Sequence, residues 1–298
     1  MQRCYRVRYF SICSVLLVLW CLTFRVDGVE MKAPNLKQWT LKGPLTNAPA
    51  RVTDGLPLSD QSNKGRWKKI EALSDEFLGT TLDTNKWVVG LDWWQGRLPA
   101  WFSPTNIVVR DGQLQLTLRR EKVPAQYEEH GYTNYTSAAL RSVVRAGYGY
   151  YEVKAKAMRS AGSSSFWFQQ DENPRWSSEI DVFEIGGKAK GKEQTYNMCT
   201  LVFRTPEVEG QWQVHAEWET PWALCDDFHV FGLEWGRDLI SWYVDGVLVH
   251  SQENSHWHNP LYMIFDTETM PDWFGMPEDA DLPSTYRVEY VRGWQASH

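Results

Sequence analysis

Three carboxylates stand close together in one apolar segment of the chain. Glu179, Asp181 and Glu184 fall within six residues, in a run whose other residues are typical of β-strands. In a regular strand the side chains at 179 and 181 point to one face, and the side chain at 184 points to the other. A β-bulge, one extra residue at Val182–Phe183, would return Glu184 to the face of the other two acids. We therefore predict a bulged strand that presents all three acids together.

Crowded carboxylates suit acid–base chemistry on a sugar linkage. Like charges push one another's pKa values apart, so that one group keeps its proton near neutral pH while another is ionised. Glycoside hydrolysis needs such a pair, because one group acts as nucleophile or base and the other protonates the leaving oxygen. Two other interpretations are a solvated acidic strand face and a calcium site. The aromatic side chains near the acids favour a sugar site, because a metal site requires more oxygen ligands. These side chains are Phe166, Trp167, Phe168, Trp176 and Phe183.

The segments around this run also have the pattern of strands. Asp-Gly dipeptides between β-forming residues occur at 111–112 and 245–246, and this dipeptide is the strongest short-range hairpin signal. Residues 150–157 alternate between apolar and charged side chains, as a half-buried strand does. No helical periodicity of convincing length is present. These patterns predict an all-β sandwich or barrel, and this fold must position the acids.

Composition and charge narrow the class of protein further. The chain has 298 residues, 43% of them hydrophobic and 23% charged, which is an ordinary globular composition. Its formal net charge of -6 argues against a nucleic-acid-binding protein. Aromatic residues make up 14% and include 17 Trp, which suggests a surface that stacks on a flat ligand as well as a core. Because there is no C-x-x-C motif or Cys/His cluster, we predict no zinc site.

The N-terminus has the features of an export signal. An uncharged apolar stretch at 10–24 is short for a membrane span, which needs about 20 residues. Together with the basic residues before it, this stretch predicts a signal peptide over 1–28, although Arg25 directly after it leaves a membrane anchor as the alternative. The basic residues are Arg3, Arg6 and Arg8. We expect a secreted protein, extracellular or periplasmic, with no membrane attachment after cleavage.

The remainder divides into a leader and one folded domain. Residues 29–65 are rich in Pro, Gly, Asn, Lys and Thr, and we interpret them as an N-terminal leader or linker. Residues 66–298 are predicted to form the single domain. Two cysteines remain there, Cys199 and Cys225, and in an exported protein they either form a disulfide or stay as buried thiols.

The domain resembles glycoside hydrolase family 16, whose members are concanavalin-like β-jelly rolls. The run from Glu179 to Glu184 matches the family's E-x-D-x-x-E signature in its bulged form. Other segments match in order through most of residues 67–296, and they lie at 74–77, 82–87, 148–152, 166–167, 228–235, 242–246 and 288–292. The resemblance implies a β-sandwich with a concave substrate cleft, in which 66–298 is the catalytic domain.

The resemblance also implies roles for individual residues. Glu179 corresponds to the nucleophile and Glu184 to the general acid/base, while Asp181 between them tunes their protonation. The implied mechanism is retaining and proceeds through a covalent glycosyl-enzyme. Trp167 resembles the tryptophan at the floor of the family's cleft, with Trp176 as its neighbour; core packing is the other interpretation for both.

Two differences from the sequence pattern of the family's laminarinases narrow the range of candidate substrates. These usually carry W-P before the signature and a G-G-x-W-x-G loop later, whereas this chain has Trp-Ser-Ser at 176–178 and a different sequence at 265–275. The segment 91–101 is similar to the early aromatic loop of the marine galactanases. Trp93, Trp94 and Trp101 are expected to stack on galactose rings, and Arg97 or Arg175 to face sulfate or ring oxygens.

We therefore expect an endo-acting hydrolase of red-algal galactan, a β-agarase in the first place. The negative net charge favours neutral agarose over a sulfated chain. The alternatives are a κ-carrageenase or β-porphyranase, then a laminarinase. A transglycosylase with the same residues and a non-catalytic lectin-like carbohydrate-binding protein are further alternatives. We expect a monomer.

No cofactor is expected to be required. Many relatives hold a structural calcium ion on the convex face with a ligand from the last strand, where Glu289 stands in place of the usual Asp. The resemblance therefore leaves a structural calcium ion as an alternative, and no metal-ligating residue is predicted.

Overall fold

Nearly all regular structure in the chain is β. The computed structural model describes residues 25–26, 29–30, 35–170, 173, 175–204 and 211–297. The predicted signal peptide therefore lies outside the described residues, apart from the backbone of a two-residue strand. Within the described ranges, no helix combines the length and the apolarity that a membrane crossing requires.

The described residues form strands and a few short helices. Short helices are α1 (Ala125–Glu128) and single 3-10 turns at Leu58–Asp60, Glu71–Leu73, Pro104–Asn106 and Asp279–Asp281. The strands are β1 (Arg25–Val26), β2 (Val29–Glu30), β3 (Gln38–Thr40), β4 (Trp67–Lys69), β5 (Trp87–Val89), β6 (Ala100–Phe102), β7 (Ile107–Arg110), β8 (Gln113–Leu118), β9 (Tyr135–Ala146), β10 (Gly149–Lys156), β11 (Ser163–Gln169), β12 (Ser177–Gly186), β13 (Thr195–Arg204), β14 (Trp212–Glu219), β15 (His229–Trp235), β16 (Leu239–Val244), β17 (Val247–Glu253), β18 (Leu261–Glu268) and β19 (Ser284–Ala296).

Two large sheets build the fold. An eight-stranded sheet runs in the order β14-β13-β12-β11-β18-β9-β5, with β6 added parallel to β9. A nine-stranded sheet runs in the order β3-β17-β16-β15-β10-β19-β8-β7, with β4 added to β19. Neighbours in sequence are often not neighbours in a sheet, as when β18 inserts between β11 and β9. The predicted all-β sandwich is confirmed.

Both predicted Asp-Gly hairpins form. Asp111 and Gly112 have φ of 57° and 69° between β7 and β8, and Asp245 and Gly246 have φ of 48° and 77° between β16 and β17. Two-residue turns with positive φ at both positions match the twist of the strands that they join, which is why Asp-Gly is favoured there. The registers of these strands are thus fixed locally.

The core lies between the two sheets and is built largely from rings. Phe166 of β11 stacks on Phe265 of β18 with centroids 4.8 Å apart, and Phe183 of β12 contacts Phe231 of β15 at 4.6 Å. The alternation predicted for 150–157 places Tyr151 and Val153 in this core. The Phe166–Phe265 pair lies within the eight-stranded sheet, whereas the Phe183–Phe231 contact crosses to the nine-stranded sheet and fixes the strand that carries the acids against the opposite layer.

The described part of the predicted leader lies over the nine-stranded sheet. β3 pairs with β17 as an edge strand, and the Leu58 amide donates to Glu152 Oε2 at 2.7 Å. Glu152 belongs to the charged face of β10, and because this segment covers it, its side chain is fully buried.

Candidate active site

The strand β12 carries the predicted bulge. Against β11, Phe183 pairs with Phe166 but Asp181 pairs with Trp167, so that Val182 is the extra residue. The same irregularity appears against β13, between Asp181 and Glu184. Val182 and Phe183 both point into the core, and the three acids share the outer face of the eight-stranded sheet. The predicted bulge is confirmed, and we call this surface, with Glu179, Asp181 and Glu184, the acidic face.

Side chains from the core hold the bulged backbone in place. A bulge removes carbonyl groups from the regular ladder, and a buried carbonyl without a partner is costly. Here Trp242 of the opposite sheet donates from Nε1 to the Asp181 carbonyl at 3.0 Å, and the Tyr196 hydroxyl donates to the Val182 carbonyl at 2.7 Å. The Asn197 side chain donates to the Glu184 carbonyl at 3.0 Å. The orientation of the Glu184 side chain thus depends on hydrogen bonds from three residues that are distant from it in sequence.

The electrostatics of the acidic face favour protonated carboxyl groups. Burial raises the pKa of Glu179 well above its ordinary value, and the charge of Glu184 adds to the rise. Burial and the charges of Glu179 and Glu184 raise the pKa of Asp181 in the same way. Glu179 and Glu184 nevertheless keep part of their surface exposed to solvent. The three groups cannot all be ionised at neutral pH, so they share protons as a coupled set.

Burial raises the pKa of Glu184 to about 7, with the charge of Glu268 adding to the rise and that of Arg97 opposing it. Glu268 and Asp266 lie on β18, and Asp266 is joined through Ser165 of β11 to the row of Glu184. A carboxyl group with a pKa near the working pH suits a general acid that later acts as a base.

Asp266 and Glu268 are site residues that the sequence reasoning missed. They lie in 265–275, which differs from the laminarinase loop in sequence, and the structure makes 261–268 a central strand. An apolar run that ends in two acids at alternate positions was the available signal. This signal predicts a strand but not its neighbours in the sheet, because the order of strands in a sheet does not follow from local sequence.

Rings cover the acidic face beside the carboxylates. Trp167 pairs with Asp181 across the β11–β12 ladder and packs with Tyr262 and Ile264 in an apolar cluster outside the main core. Trp94 contacts the Trp167 ring edge-on at 6.2 Å, and Trp93 stacks on Tyr262 at 6.1 Å. The structure thus places Trp93, Trp94 and Trp167 together beside the strand that carries the acids, where they offer apolar surface to a sugar, and their contact with substrate stays a prediction.

The early aromatic loop reaches this position through a sharp turn. Gly96 has φ of 120°, and a Cβ at this position would lie 2.5 Å from the Ala100 carbonyl oxygen. The turn lets the Phe102 amide donate to the Gln95 carbonyl at 2.9 Å. A residue with a side chain would force the loop open, so glycine is required here.

The remaining predicted binding residues have different placements. The Arg97 side chain is exposed, but its charge is paired, because its Nε donates to Glu268 Oε2 at 2.6 Å and its guanidinium lies over Trp94. Trp101 stacks on Tyr127 at 4.4 Å instead of joining the cluster of Trp94, so we do not include it in the site. Arg175 is exposed at the turn before β12. Trp176 is half-buried, and its indole nitrogen has no hydrogen-bond partner among the described residues.

No metal site emerges from the described residues. Within these ranges no three His, Cys, Asp or Glu side chains are arranged to hold an ion. Glu289 of the last strand forms an ion pair with Lys154, with Nζ and Oε2 2.7 Å apart, and the structural calcium ion that the resemblance implied stays a prediction. Cys199 and Cys225 are free buried thiols, so they do not form a disulfide.

The fold and the bulged acidic strand agree with a known family. Residues 67–296 match the sequence model described as the GH16 domain of β-porphyranases A to D. The chain belongs to glycoside hydrolase family 16. The jelly-roll sandwich that the resemblance implied is therefore confirmed, and the chain is a glycoside hydrolase by family.

Individual relatives differ in the substrates that their names state. β-Porphyranase B of Zobellia galactanivorans is 30% identical over 252 residues, which cover 77% of this chain and 85% of the relative. Its crystal structure superposes with a TM-score of 0.69 at 28% identity and covers 77% of this chain and 92% of that one. Glucan endo-1,3-β-glucosidase A1 of Niallia circulans is 26% identical over 258 residues, which are 73% of this chain and only 36% of that protein.

Proposed function

We propose that this protein is an endo-acting, retaining hydrolase of a red-algal galactan. The observation that carries the proposal is the bulge at Val182, because it puts Glu179 and Glu184 on one face next to a floor of rings. Two carboxyl groups on one side of a sugar linkage are what double-displacement hydrolysis requires.

In this proposal each acid has one task. The Glu179 carboxylate attacks the anomeric carbon, while Glu184 donates its proton to the leaving glycosidic oxygen. A water molecule then gives its proton to Glu184 and displaces Glu179 from the sugar. Asp181 keeps a proton and contacts Glu179, and this contact lowers the pKa of Glu179 and so opposes the effect of burial. The contact favours the ionised form of the nucleophile, while burial and the charge of Glu184 keep the pKa of Glu179 above its ordinary value.

For the substrate we propose porphyran, a sulfated galactan. The matching family description names porphyranases, and β-porphyranase B is 30% identical to this chain over 77% of its length. Arginines also lie on the acidic face, and the planar guanidinium suits the oxygens of a sulfate group. These two observations outweigh the net charge, which reports on the whole surface and not on the site.

Agarose, the substrate favoured by the net charge, is the second candidate. The observation in its favour is the ion pair between Arg97 and Glu268, which neutralises an arginine beside the acids. A neutral galactan chain would meet no unfavourable charge at that point.

The test is a screen of purified protein on porphyran, agarose, κ-carrageenan and laminarin, with reducing-end assay and product sizing. We expect oligosaccharides from porphyran, and proton NMR of early products should show retention of the anomeric configuration. Cleavage of laminarin alone would refute the galactan proposal. Binding without new reducing ends would indicate a lectin-like protein, and longer products would indicate a transglycosylase. Secretion after removal of 1–28 and a monomeric state are part of the proposal, and mass analysis of the exported protein tests both.

A further inference from the structure

A second concave surface lies on the outer face of the nine-stranded sheet, on the opposite side of the sandwich from the acidic face. Its volume is about 510 Å³, which is within the usual range of small-ligand sites. Glu234 of β15 and Tyr243 of β16 form its floor, because their neighbours on these strands point into the core. Leader residues between 59 and 65, together with Trp67 of β4, form its wall. We call it the leader cavity.

Hydrogen bonds to one carboxylate hold the wall of the leader cavity in place. Asp60 accepts from the Lys64 and Gly65 amides at 3.0 and 2.8 Å, and from Trp67 Nε1 at 3.1 Å. Burial alone would raise the pKa of Asp60, but these bonds outweigh it and lower the pKa. Because the wall is already ordered, a ligand that binds against it loses less free energy to ordering.

The leader cavity offers rings and a carboxylate oxygen to a ligand. The Trp67 and Tyr243 rings both pack against Tyr150, with centroids 5.8 and 5.5 Å away. The Tyr243 hydroxyl donates to Glu234 Oε2 at 2.9 Å, which leaves Oε1 of the half-buried Glu234 available as an acceptor. Ring surface next to a carboxylate acceptor suits a sugar, which has both C–H faces and hydroxyl donors.

The Tyr150 hydroxyl adds an unsatisfied group beneath these rings. Tyr150 is fully buried, and burial raises the pKa of its hydroxyl well above the ordinary value. The hydroxyl lies over Gly232, where a Cβ would be only 2.3 Å from it, and near Ser59 of the cavity wall. It has no well-formed hydrogen bond in the part of the chain that the structure describes. Buried polar groups normally have partners, so a ligand that engages Ser59 would complete the hydrogen bonding here.

The charges of the leader cavity favour a neutral ligand. The lining carries two carboxylates, Asp60 and Glu234, and one cation, Lys64. This excess of negative charge repels a sulfate ester, whereas the hydroxyl groups of a neutral sugar donate charge-assisted hydrogen bonds to a carboxylate. Neutral galactose residues are therefore the part of a galactan chain that fits this surface.

An exposed ring continues this surface to the edge of the sheet. Trp39 of β3 is 48% exposed and pairs with Ser251 of β17. Ser251 pairs with Ser241 of β16, which in turn pairs with Glu234, so the four side chains share one outward-facing row. Three strand spacings separate Trp39 from Glu234, about 14 Å. A sugar chain along this row meets a ring at the edge and a carboxylate in the leader cavity.

We propose that the leader cavity and Trp39 form a second carbohydrate-binding site, which holds neutral galactose residues of the polysaccharide on the face opposite the acids. The inference rests on the proposed function for the identity of the polymer. Since the two sites lie on opposite sides of the sandwich, a long chain or two neighbouring chains occupy both at once. Binding at the second site raises the effective concentration of linkages near the acids and takes no part in bond cleavage.

The kinetic test compares Glu234→Ala and Trp39→Ala with the wild type on the polymeric galactan and on its oligosaccharides that are too short to reach both faces. We expect each variant to raise KM on the polymer about three- to tenfold with kcat nearly unchanged, since one ring contact or one hydrogen bond is lost. Values on the oligosaccharides should change less than twofold. The matched controls are the exposed Glu71→Ala and Val108→Ala, which should have no effect.

A binding test uses agarose as the neutral galactan. Each chain also carries Glu179→Gln to prevent cleavage, and its migration through a native polyacrylamide gel is compared with and without dispersed agarose. We expect agarose to retard the parent chain, and both Glu234→Ala and Trp39→Ala to be retarded less. Thermal melts check that the variants are folded, and Glu234→Ala decides the test if Trp39→Ala loosens β3.

The outcomes separate the second site from the proposed function. Unchanged retardation of both variants by agarose would refute the second site and leave the galactanase proposal intact. An equal rise in KM on polymer and oligosaccharides would also refute it, because the substitution then acts through the fold or the acidic face. If the wild type cleaves no galactan, the proposed function fails and retardation alone decides: weaker retardation of Glu234→Ala supports the second site, and equal retardation refutes it.

Discussion

Acidic side chains are buried on both outer faces of the sandwich, but the groups around them differ. On one face cations neutralise the carboxylates, and on the other face the carboxylates lie next to one another. On the nine-stranded sheet Glu152 accepts hydrogen bonds from Arg51, from the Tyr290 hydroxyl at 2.9 Å and from the Leu58 amide at 2.7 Å. On the same side Arg292 donates two bonds to Glu76, at 2.9 and 2.8 Å. Burial alone would raise the pKa of Glu76, but Arg292 and Lys69 outweigh it and lower the pKa.

On the acidic face the balance is reversed. Burial raises the pKa values of Glu179, Asp181 and Glu184, and repulsion within the group adds to the rise for Glu179 and Asp181. For Glu184 the charge of Glu268 adds to the rise. Arg97 is close by but bonds to Glu268. The comparison shows that the surroundings decide whether an acid serves stability or chemistry. A buried carboxylate that is paired with an arginine stabilises the fold. A group of carboxylates with too few neighbouring cations has raised pKa values and can therefore donate protons in a reaction.

The largest effect should come from removing either proposed catalytic acid. We expect Glu179→Gln and Glu184→Gln each to lower kcat about 10³-fold or more, because nucleophile or acid catalysis is lost. The melting temperature should stay the same or rise, because each change removes a charge from a repulsive cluster. Reducing-end assays and thermal melts measure the two quantities. A variant that retains wild-type kcat would overturn the role given to that residue.

The matched change on the opposite face should affect stability instead. Glu152→Gln removes the partner of Arg51 in a covered position, so we expect the free energy of unfolding to fall by roughly 3 kcal/mol. Activity per folded molecule should be unchanged, because Glu152 lies on the other sheet. Urea unfolding and activity at low temperature test this pair of expectations. Equal stability losses for Glu152→Gln and Glu184→Gln would remove the distinction between the two faces.

Loosening the bulge should have a smaller effect on both quantities. Tyr196→Phe leaves the Val182 carbonyl without its donor, so we expect the free energy of unfolding to fall by about 1–3 kcal/mol. We also expect kcat to fall, because the orientation of the Glu184 side chain is then less well defined. Tyr286→Phe is the control, since the Tyr286 hydroxyl is buried with no hydrogen-bond partner among the described residues. If both variants behave alike in denaturation and kinetics, the hydrogen bond to Val182 does not support the bulge.

The smallest effect concerns the pH profile. Glu184 must be protonated to act as the acid, so kcat/KM should fall as the pH rises through about 7. The charge of Glu268 helps to raise the pKa of Glu184, so Glu268→Gln should shift this alkaline limb to lower pH. Glu128→Gln, the same change on the exposed helix α1, should leave the limb in place. A shift to higher pH in Glu268→Gln would contradict the proposed coupling.

The sequence alone determined the elements and the reactive strand. Hairpins at Asp111–Gly112 and Asp245–Gly246 follow from backbone preferences of two adjacent residues, because the conformation of a turn is set by neighbours in the chain. The position of the bulge at Val182 could be predicted from the spacing of the three acids and the period of a strand, although the hydrogen bonds that hold it come from residues far away in sequence.

Only the tertiary structure decided what surrounds that strand. It inserted β18 beside β11 and so brought Asp266 and Glu268 to the acids, and it paired Arg97 with Glu268. It also gave Glu152 an arginine from the leader and directed Trp101 onto Tyr127. These contacts join residues far apart in sequence. The pKa of a carboxyl group depends on burial and on charges within a few ångströms, and chain folding alone determines which charges those are.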